Sequence, residues 1–419
     1  MPQSLPMTVP ADPALWSDFL ALCDHGGRLT GTCGEVAARD WAAGRLAAIP
    51  GGRLSREPTR YDGWHCSACR LLIGDEALEA TALLCSAGTE PADLTLEVVD
   101  CGRGTPADIA AAGSRVAGRA VLVQHEYMFA EDTVHRRVKL AAAVEAGAAA
   151  FLIAAPEPGM GAMSGSGGLP AGMRRIPALG ISAEAAARIR AMPGTPVRLH
   201  VVTELHPDAE TETLVLDLPG GGPDRVVLSA HIDGHAPAES ALDNATGVAL
   251  ALALARQAAP YLAQQPRGLT VCLFSAEEWA LTGSKTWLAG LGAAARERLV
   301  FNLNLDTVTG GSRLTALTSG FPRLGGFVTA AAGASLGVHL PLMANSDHAN
   351  FAMGGIPALR LVSGFNERDS KIRLLLSRHD RRDMAAPQDF AEPARVAWAI
   401  LRAALTAPAA QLAALRATA

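Results

Sequence analysis

The sequence predicts an α/β protein: a mostly parallel mixed sheet with helices on both faces, carrying a second, β-rich α/β segment inserted before its C-terminal half. Three observations predict it. From Glu204 onward, apolar strand-like runs alternate with helix-like runs, which is the pattern of a helix-covered parallel sheet. From Asp100 to about Val202 the same alternation recurs on a smaller scale, with enough apolar runs for a core of its own. Several strand-like runs in the C-terminal half end in His, Asp or Glu, and in such sheets ligands bind beyond the carboxyl ends of the strands. The expected boundaries are 1–99 and 203–419 for the main domain and 100–202 for the inserted one.

In chain order, residues 12–50 read as two helices around a loop. Asp12 can cap the first helix ahead of Pro13, and Leu15, Trp16, Phe19, Leu20 and Cys23 share one face at helical spacing. The Gly- and Thr-rich stretch GGRLTGTCGE separates it from a second helix over about 37–49. Residues 52–100 hold several short β-like runs. In the inserted segment, 119–123 reads as a strand, 138–148 as a helix, 147–154 as the start of the next strand, and 176–181 as another strand before a helix ending at Ile189. The Gly-, Met- and Ser-rich loop 157–175 is expected to be mobile and to serve as a lid. In the last part, strands are expected at 213–218, 226–232, 269–274, 301–305, 314–317 and 358–362, with helices at 245–257, 281–291, 321–336 and 394–405. The Gly220-Gly221-Gly222-Pro223 turn would join the first two of these strands as a hairpin.

The bulk numbers exclude some classes of function. With 49% hydrophobic and 18% charged residues the chain is globular, and a net charge of -5 gives no electrostatic reason to bind nucleic acid. No uninterrupted apolar stretch would span a bilayer, and the first twenty residues lack a basic n-region and an apolar h-region, so the expected compartment is the cytoplasm. Seven cysteines, an odd number, fit reduced thiols. Cys66 and Cys69 form a CxxC with no second CxxC, which reads as small residues on a strand rather than a zinc knuckle.

The chemistry concentrates between Val226 and His379. His231 and Asp233 end one expected strand, Glu277 and Glu278 another, and Asp306 a third; Asp243 precedes a helix, and His379 lies in the loop SRHDRRD. Each has an ordinary reading: Asp243 as a helix N-cap, the Glu pair as acids favoured by a helix dipole, Asp306 as a turn residue, His379 as a solvated surface group. Their common position at strand ends of one sheet favours a shared site. Imidazoles and carboxylates in these numbers suit two zinc ions about 3.5–4 Å apart. His235 reads as incidental, because an HExxH-type site needs a helix and an intervening Glu.

The order and spacing of HID (231–233), ALDNATG (241–247), SAEEWALTGS (275–284), NLD (304–306), SDHANFAMGGIP (346–357) and RHDRRD (378–383) resemble the M28 zinc exopeptidases of the co-catalytic two-zinc type. GGRLTGTCGE resembles the R-x-x-G-x-x-G segment of that family, and residues 100–202 resemble the protease-associated (PA) domain that many members carry. The resemblance implies His231 and Asp306 on one zinc, Glu278 and His379 on the other, and Asp243 bridging them, with other divalent ions able to replace zinc. It also implies Glu277 as general base, Asp233 as the partner that orients His231, and a cis peptide at Asp243-Asn244. Three positions depart from the family pattern: Ala280 stands where Gly is usual, Ser240 stands near a usual Gly, and Arg378 stands where a Tyr often serves as oxyanion donor.

The expected function is therefore hydrolysis of a terminal peptide bond, with aminopeptidase action first. A carboxypeptidase or dipeptidase of the same family is the alternative, with Arg360, Arg368 and Arg373 as candidates to hold a substrate carboxylate. A non-enzymatic scaffold related to peptidases is a third reading, disfavoured by the full ligand set and base. The expected partner is a peptide substrate, with neither nucleic acid nor membrane.

Overall fold

A computed structural model of the chain describes residues 5–170 and 172–416; the terminal residues of the expected domains and residue 171 of the expected lid lie outside the described residues. The chain forms two compact units: residues 1–61, 210–375 and 380–419, and residues 62–209 with 376–379.

The first unit is built on a mixed sheet. Four strands, Ala358–Ser363, Leu299–Leu305, Arg225–His231 and Gly268–Phe274, run parallel in that spatial order. Antiparallel neighbours extend both sides: Leu314–Leu317 beside Ala358–Ser363, and the end of Val197–Leu218 beside Gly268–Phe274. The GGGP stretch is thus not a hairpin turn. Gly268–Phe274 lies between the two strands that the stretch connects, because the crossover through the helix Thr246–Ala258 sets the next strand down beside Arg225–His231. Glycine is needed there for another reason: a Cβ on Gly220 would lie 2.2 Å from the Arg267 backbone.

Local sequence explains the helices that flank this sheet. Thr246–Ala258, TGVALALALARQA, is apolar all round over most of its length, and residues 246–255 are all buried. On one face of the sheet, Val227, Cys272 and Phe274 pack against Trp287 and Leu288 of the helix Thr282–Gly290 and against Phe351 of His348–Met353. Near the N-terminus Asp12 Oδ1 accepts from the Ala14 N–H at 2.8 Å, and the helix runs Leu15–Asp24. The second helix starts earlier than expected, at Cys33, because Thr32 caps it by accepting from the Glu35 N–H. The short runs expected over 52–73 are one strand, Arg53–Ile73.

The second unit has a five-stranded sheet in the order Ala80–Ala82, Ala178–Ile181, Ala150–Ala154, Ala120–Gln124, Val98–Asp100, with only the first antiparallel. This unit begins at Asp62, ahead of residue 100, because Ala80–Ala82 is a strand of its sheet. Val121, Val123, Phe151 and Ile153 meet Ile109 and Leu140 in its core. Thr105 and Asp108 form a capping box at the start of Pro106–Ala112, and Ser182 caps Ala183–Arg190.

The loop expected to be mobile is packed over its first half. Met160, Met163, Ser164 and Ser166 are buried, Leu84 N–H donates to the Gly165 carbonyl at 3.0 Å, and Gly167 N–H returns to the Leu84 carbonyl at 2.7 Å. Its Gly, Met and Ser content suggested mobility, but methionines fill core gaps well. All seven cysteines are free; Cys66 and Cys69 lie on the long strand, and burial pushes the Cys69 thiol up to about 12, which suits an inert thiol.

Candidate metal centre

The parallel strands of the first unit deliver their ends to one place. His231 closes the strand Arg225–His231 and is buried. Its Nδ1 lies 3.1 Å from the Asp233 carbonyl oxygen and 3.6 Å from the Asp233 carboxylate, so the backbone is the nearer acceptor. That leaves Nε2 facing acids: 3.0 Å from Asp243 Oδ1 and 3.6 Å from Asp306 Oδ1, with no hydrogen bond of good geometry. Burial lowers the imidazole pKa, but the charges of Glu277 and Asp306 and the nearby carboxylates of Asp233 and Asp243 outweigh it and hold the pKa well above its usual value.

Asp233 lies beside the His231 ring as expected, and its carboxylate has a second task. Its fully buried carboxylate accepts the N–H groups of Glu277 and Glu278, both at 3.2 Å, and the Thr30 hydroxyl at 2.9 Å. It therefore fixes the turn that carries the two glutamates. Thr30 also accepts from the Ala276 N–H, and Arg28, two residues before it, is buried and donates to the carbonyls of Ile232, Glu239 and Ser240. The GGRLTG stretch is thus the brace behind the strand ends.

Asp243 sits in the turn Ala241–Ala245, and the Asp243-Asn244 peptide is cis. The turn is held from below by Asp380, whose carboxylate accepts the N–H groups of Leu242 at 2.7 Å and Asp243 at 3.3 Å. Ser240 and Ala280 have φ of 47° and 57°. Both are left-handed, which at position 280 accounts for the usual Gly and marks a backbone conformation that costs a side-chain-bearing residue about 1 kcal/mol or more.

Glu277 and Glu278 follow the strand Gly268–Phe274, and both are buried. Burial pushes the Glu277 carboxyl well above its usual value; His231 opposes this, and the charges of Glu278, Asp347 and Asp306 add to it. Asp306 follows Leu299–Leu305. Burial would raise its pKa, yet the Arg360 guanidinium and His231 hold it below the usual carboxylate range. Two donor groups, each with ligand atoms within 4.8 Å of one another, result: His231, Glu277 and Glu278, and His231, Asp243 and Asp306. His231 belongs to both. His379 is placed in the other compact unit, where its Nε2 is 3.0 Å from the Gly159 carbonyl oxygen. Arg378, beside it, is exposed and pairs with Glu79 at 3.4 Å.

Three residues near these groups were not singled out from sequence, or were given another role. His235, read as incidental, is buried with Nε2 2.6 Å from Glu278 Oε2. Arg360, a candidate for holding substrate, is buried too, with Nη2 3.1 Å from Asp306 Oδ1 and Nη1 donating to the Asn345 carbonyl at 3.0 Å. Asp347 is fully buried, and burial pushes its carboxyl up to about 7. The near repeat of His at 231 and 235 was the available signal for the first. For the second, it was the register that sets Arg360 beside Asn304, two residues before Asp306.

Comparison with known proteins gives these groups a context. The model of peptidase family M28 matches residues 213–403, and the PA domain model matches residues 85–189. The chain carries a family M28 peptidase domain. Solved structures with the same fold over nearly the whole chain include a zinc aminopeptidase from Bacillus subtilis, at 20% identity and a TM-score of 0.77 over 97% of both chains. An aminopeptidase from Aneurinibacillus sp. strain AM-1 matches at 23% identity, with a TM-score of 0.69 over 94% of this chain and 93% of that one. A peptidase M28 precursor from Shewanella amazonensis matches at 20% identity and a TM-score of 0.78 over 94% of both. The M28 match spans every strand end that contributes to the two donor groups, and the PA match falls within the second unit. Fold class and family are thus those expected from sequence.

Proposed function

We propose that the chain is a two-zinc exopeptidase of the aminopeptidase type, with a peptide as its substrate. The observation that carries the reading is the gathering of the Asp243, Glu277, Glu278 and Asp306 carboxylates around the one buried imidazole of His231. The residues fit such ions: imidazole and carboxylate are good zinc donors, the groups are buried, and His231 Nε2 lacks a well-formed hydrogen bond. In this reading His231 and Asp306 serve one ion, Glu278 the other, and Asp243 both, and the sequence pattern adds His379 on the Glu278 side. Two zinc ions would supply Lewis acidity and bring water toward ionisation near neutral pH.

The chain's own residues divide the remaining work. The Asp233 carbonyl would accept a hydrogen bond from Nδ1–H of His231 and so leave the Nε2 lone pair for a metal ion. The Asp233 carboxylate holds the backbone of Glu277 and Glu278, which aims two neighbouring carboxylates at different tasks. Glu277, adjacent to a metal-ligating residue in this reading, would take the proton of the attacking water and pass it to the leaving amine. The carboxypeptidase alternative loses one of its supports, because Arg360 is buried against Asp306.

The test is a panel of peptides blocked at either end, assayed with and without a chelator. Cleavage of amino-free, carboxyl-blocked substrates that stops with chelator and returns with zinc is the expected result. Activity confined to amino-blocked peptides would overturn the aminopeptidase assignment, and activity indifferent to chelation would overturn the metal.

A further inference from the structure

Asp306 and Glu278, the outer carboxylates of the two donor groups, have unlike neighbours. Asp306 Oδ1 lies 3.1 Å from Arg360 Nη2, and Arg360 Nε also donates to the Asp306 carbonyl at 3.4 Å. The guanidinium is immobilised by the Asn345 carbonyl and is 2% exposed, so solvent screens it little. The Asp306 carboxylate takes a further bond from the Thr307 hydroxyl at 3.0 Å. Glu278, by contrast, meets no arginine or lysine among the described residues; its close neighbour is the His235 ring at 2.6 Å.

We propose that Arg360 makes the two metal positions unequal, weakening the one that uses Asp306 so that the ion there binds last and leaves first. The proposal rests on the two-metal reading above. A fixed positive charge has two opposing effects on such a site. It keeps Asp306 ionised, which removes a competing proton, and it repels an arriving cation. The second effect wins, because a divalent ion feels the same charge at the same place twice as strongly as a proton does. Arginine cannot relieve the repulsion by losing its proton.

The experiment is metal titration of the chelator-stripped full chain with zinc in zinc-buffered solution, with bound metal counted directly. The wild type is expected to bind two ions with well-separated constants. Asp306→Asn should abolish the weaker, and Arg360→Met should tighten the weaker by about 10-fold or more, the reverse of the weakening usual when a residue that contacts a ligand is removed, while leaving the tighter one in place. Arg360→Lys, which retains the charge, should keep the wild-type separation and keeps the question answerable if the Met variant does not fold. The proposal is overturned if Asp306→Asn removes the tighter ion, if Arg360→Met leaves the weaker constant unchanged or lowers it, or if Arg360→Lys tightens it as Met does. A wild type that binds no stoichiometric metal would instead overturn the two-metal reading itself.

Discussion

Each unit buries charge, and the two do so in opposite ways. In the first, acids converge: Asp243, Glu277, Glu278, Asp306 and Asp347 gather around His231, and Asp347 is left without a hydrogen bond of good geometry. In the second, the buried charges are basic and satisfied. Lys139 is completely buried, donates to the carbonyls of Arg103 and Gln124 at 2.7 and 2.8 Å, and pairs with Glu126. Arg136, beside it, donates to the Ser166 carbonyl at 2.9 Å. A buried charge whose partners all come from the protein is a structural element; a cluster in which like charges outnumber their partners is a candidate functional site. The fold therefore separates the function of its two parts by how completely each pays for its buried ions.

Removing one partner should hurt the second unit most. Glu126→Ala strands the Lys139 ammonium without its carboxylate, and should cost about 3 kcal/mol in urea denaturation, in the range found when one half of a buried ion pair is deleted. A loss under about 0.5 kcal/mol would mean that the basic cluster is not the self-contained element described. In the first unit, His235→Ala should change metal retention rather than fold. It frees Glu278 to rotate, and about 10-fold or greater weakening of metal binding is expected with the urea midpoint of the metal-free protein little changed.

The two units should also respond to pH with opposite signs. Burial pushes Asp347 and Asp380 up to about 7, so their contribution to the metal-free first unit is full below about pH 4 and is lost as pH rises through 7. Asp306, held low by Arg360 and His231 against its burial, works the other way in the acid range. In the second unit, burial pushes His125 down to about 3, with Arg136 and Lys139 adding to the effect. Its contribution is present above about pH 6.5 and is lost as pH falls toward 3. Hydrogen exchange, corrected for intrinsic rates, reads the units separately; slopes of the same sign would break the comparison. The smallest effect expected is at Ala280, where replacing a left-handed alanine by glycine should stabilise the chain by no more than about 1 kcal/mol.

Sequence made the acids at strand ends legible because they follow long apolar runs, and a strand that stops in a charged residue shows its end in one dimension. The same reasoning read GGGP as a hairpin, since it cannot see which strand a crossover sets down beside the first. It also placed Arg360 on the substrate side and dismissed His235, because what decides both is a partner far away in sequence: Asp306 and Glu278 respectively. Glu277 and Glu278 could be told apart only by resemblance to a family. What holds that pair, the carboxylate of Asp233 on two backbone N–H groups, lies in the return of the chain after the crossover.

The central claim is that Glu277 moves the proton while its neighbours hold the metal. The most direct measurement is of zinc content and peptide hydrolysis, on the same preparation, for wild type and Glu277→Gln. Equal zinc per chain and a fall in turnover of about 10²–10⁴-fold in the variant are expected. Equal turnover in the two proteins, or loss of zinc together with activity, would contradict that claim.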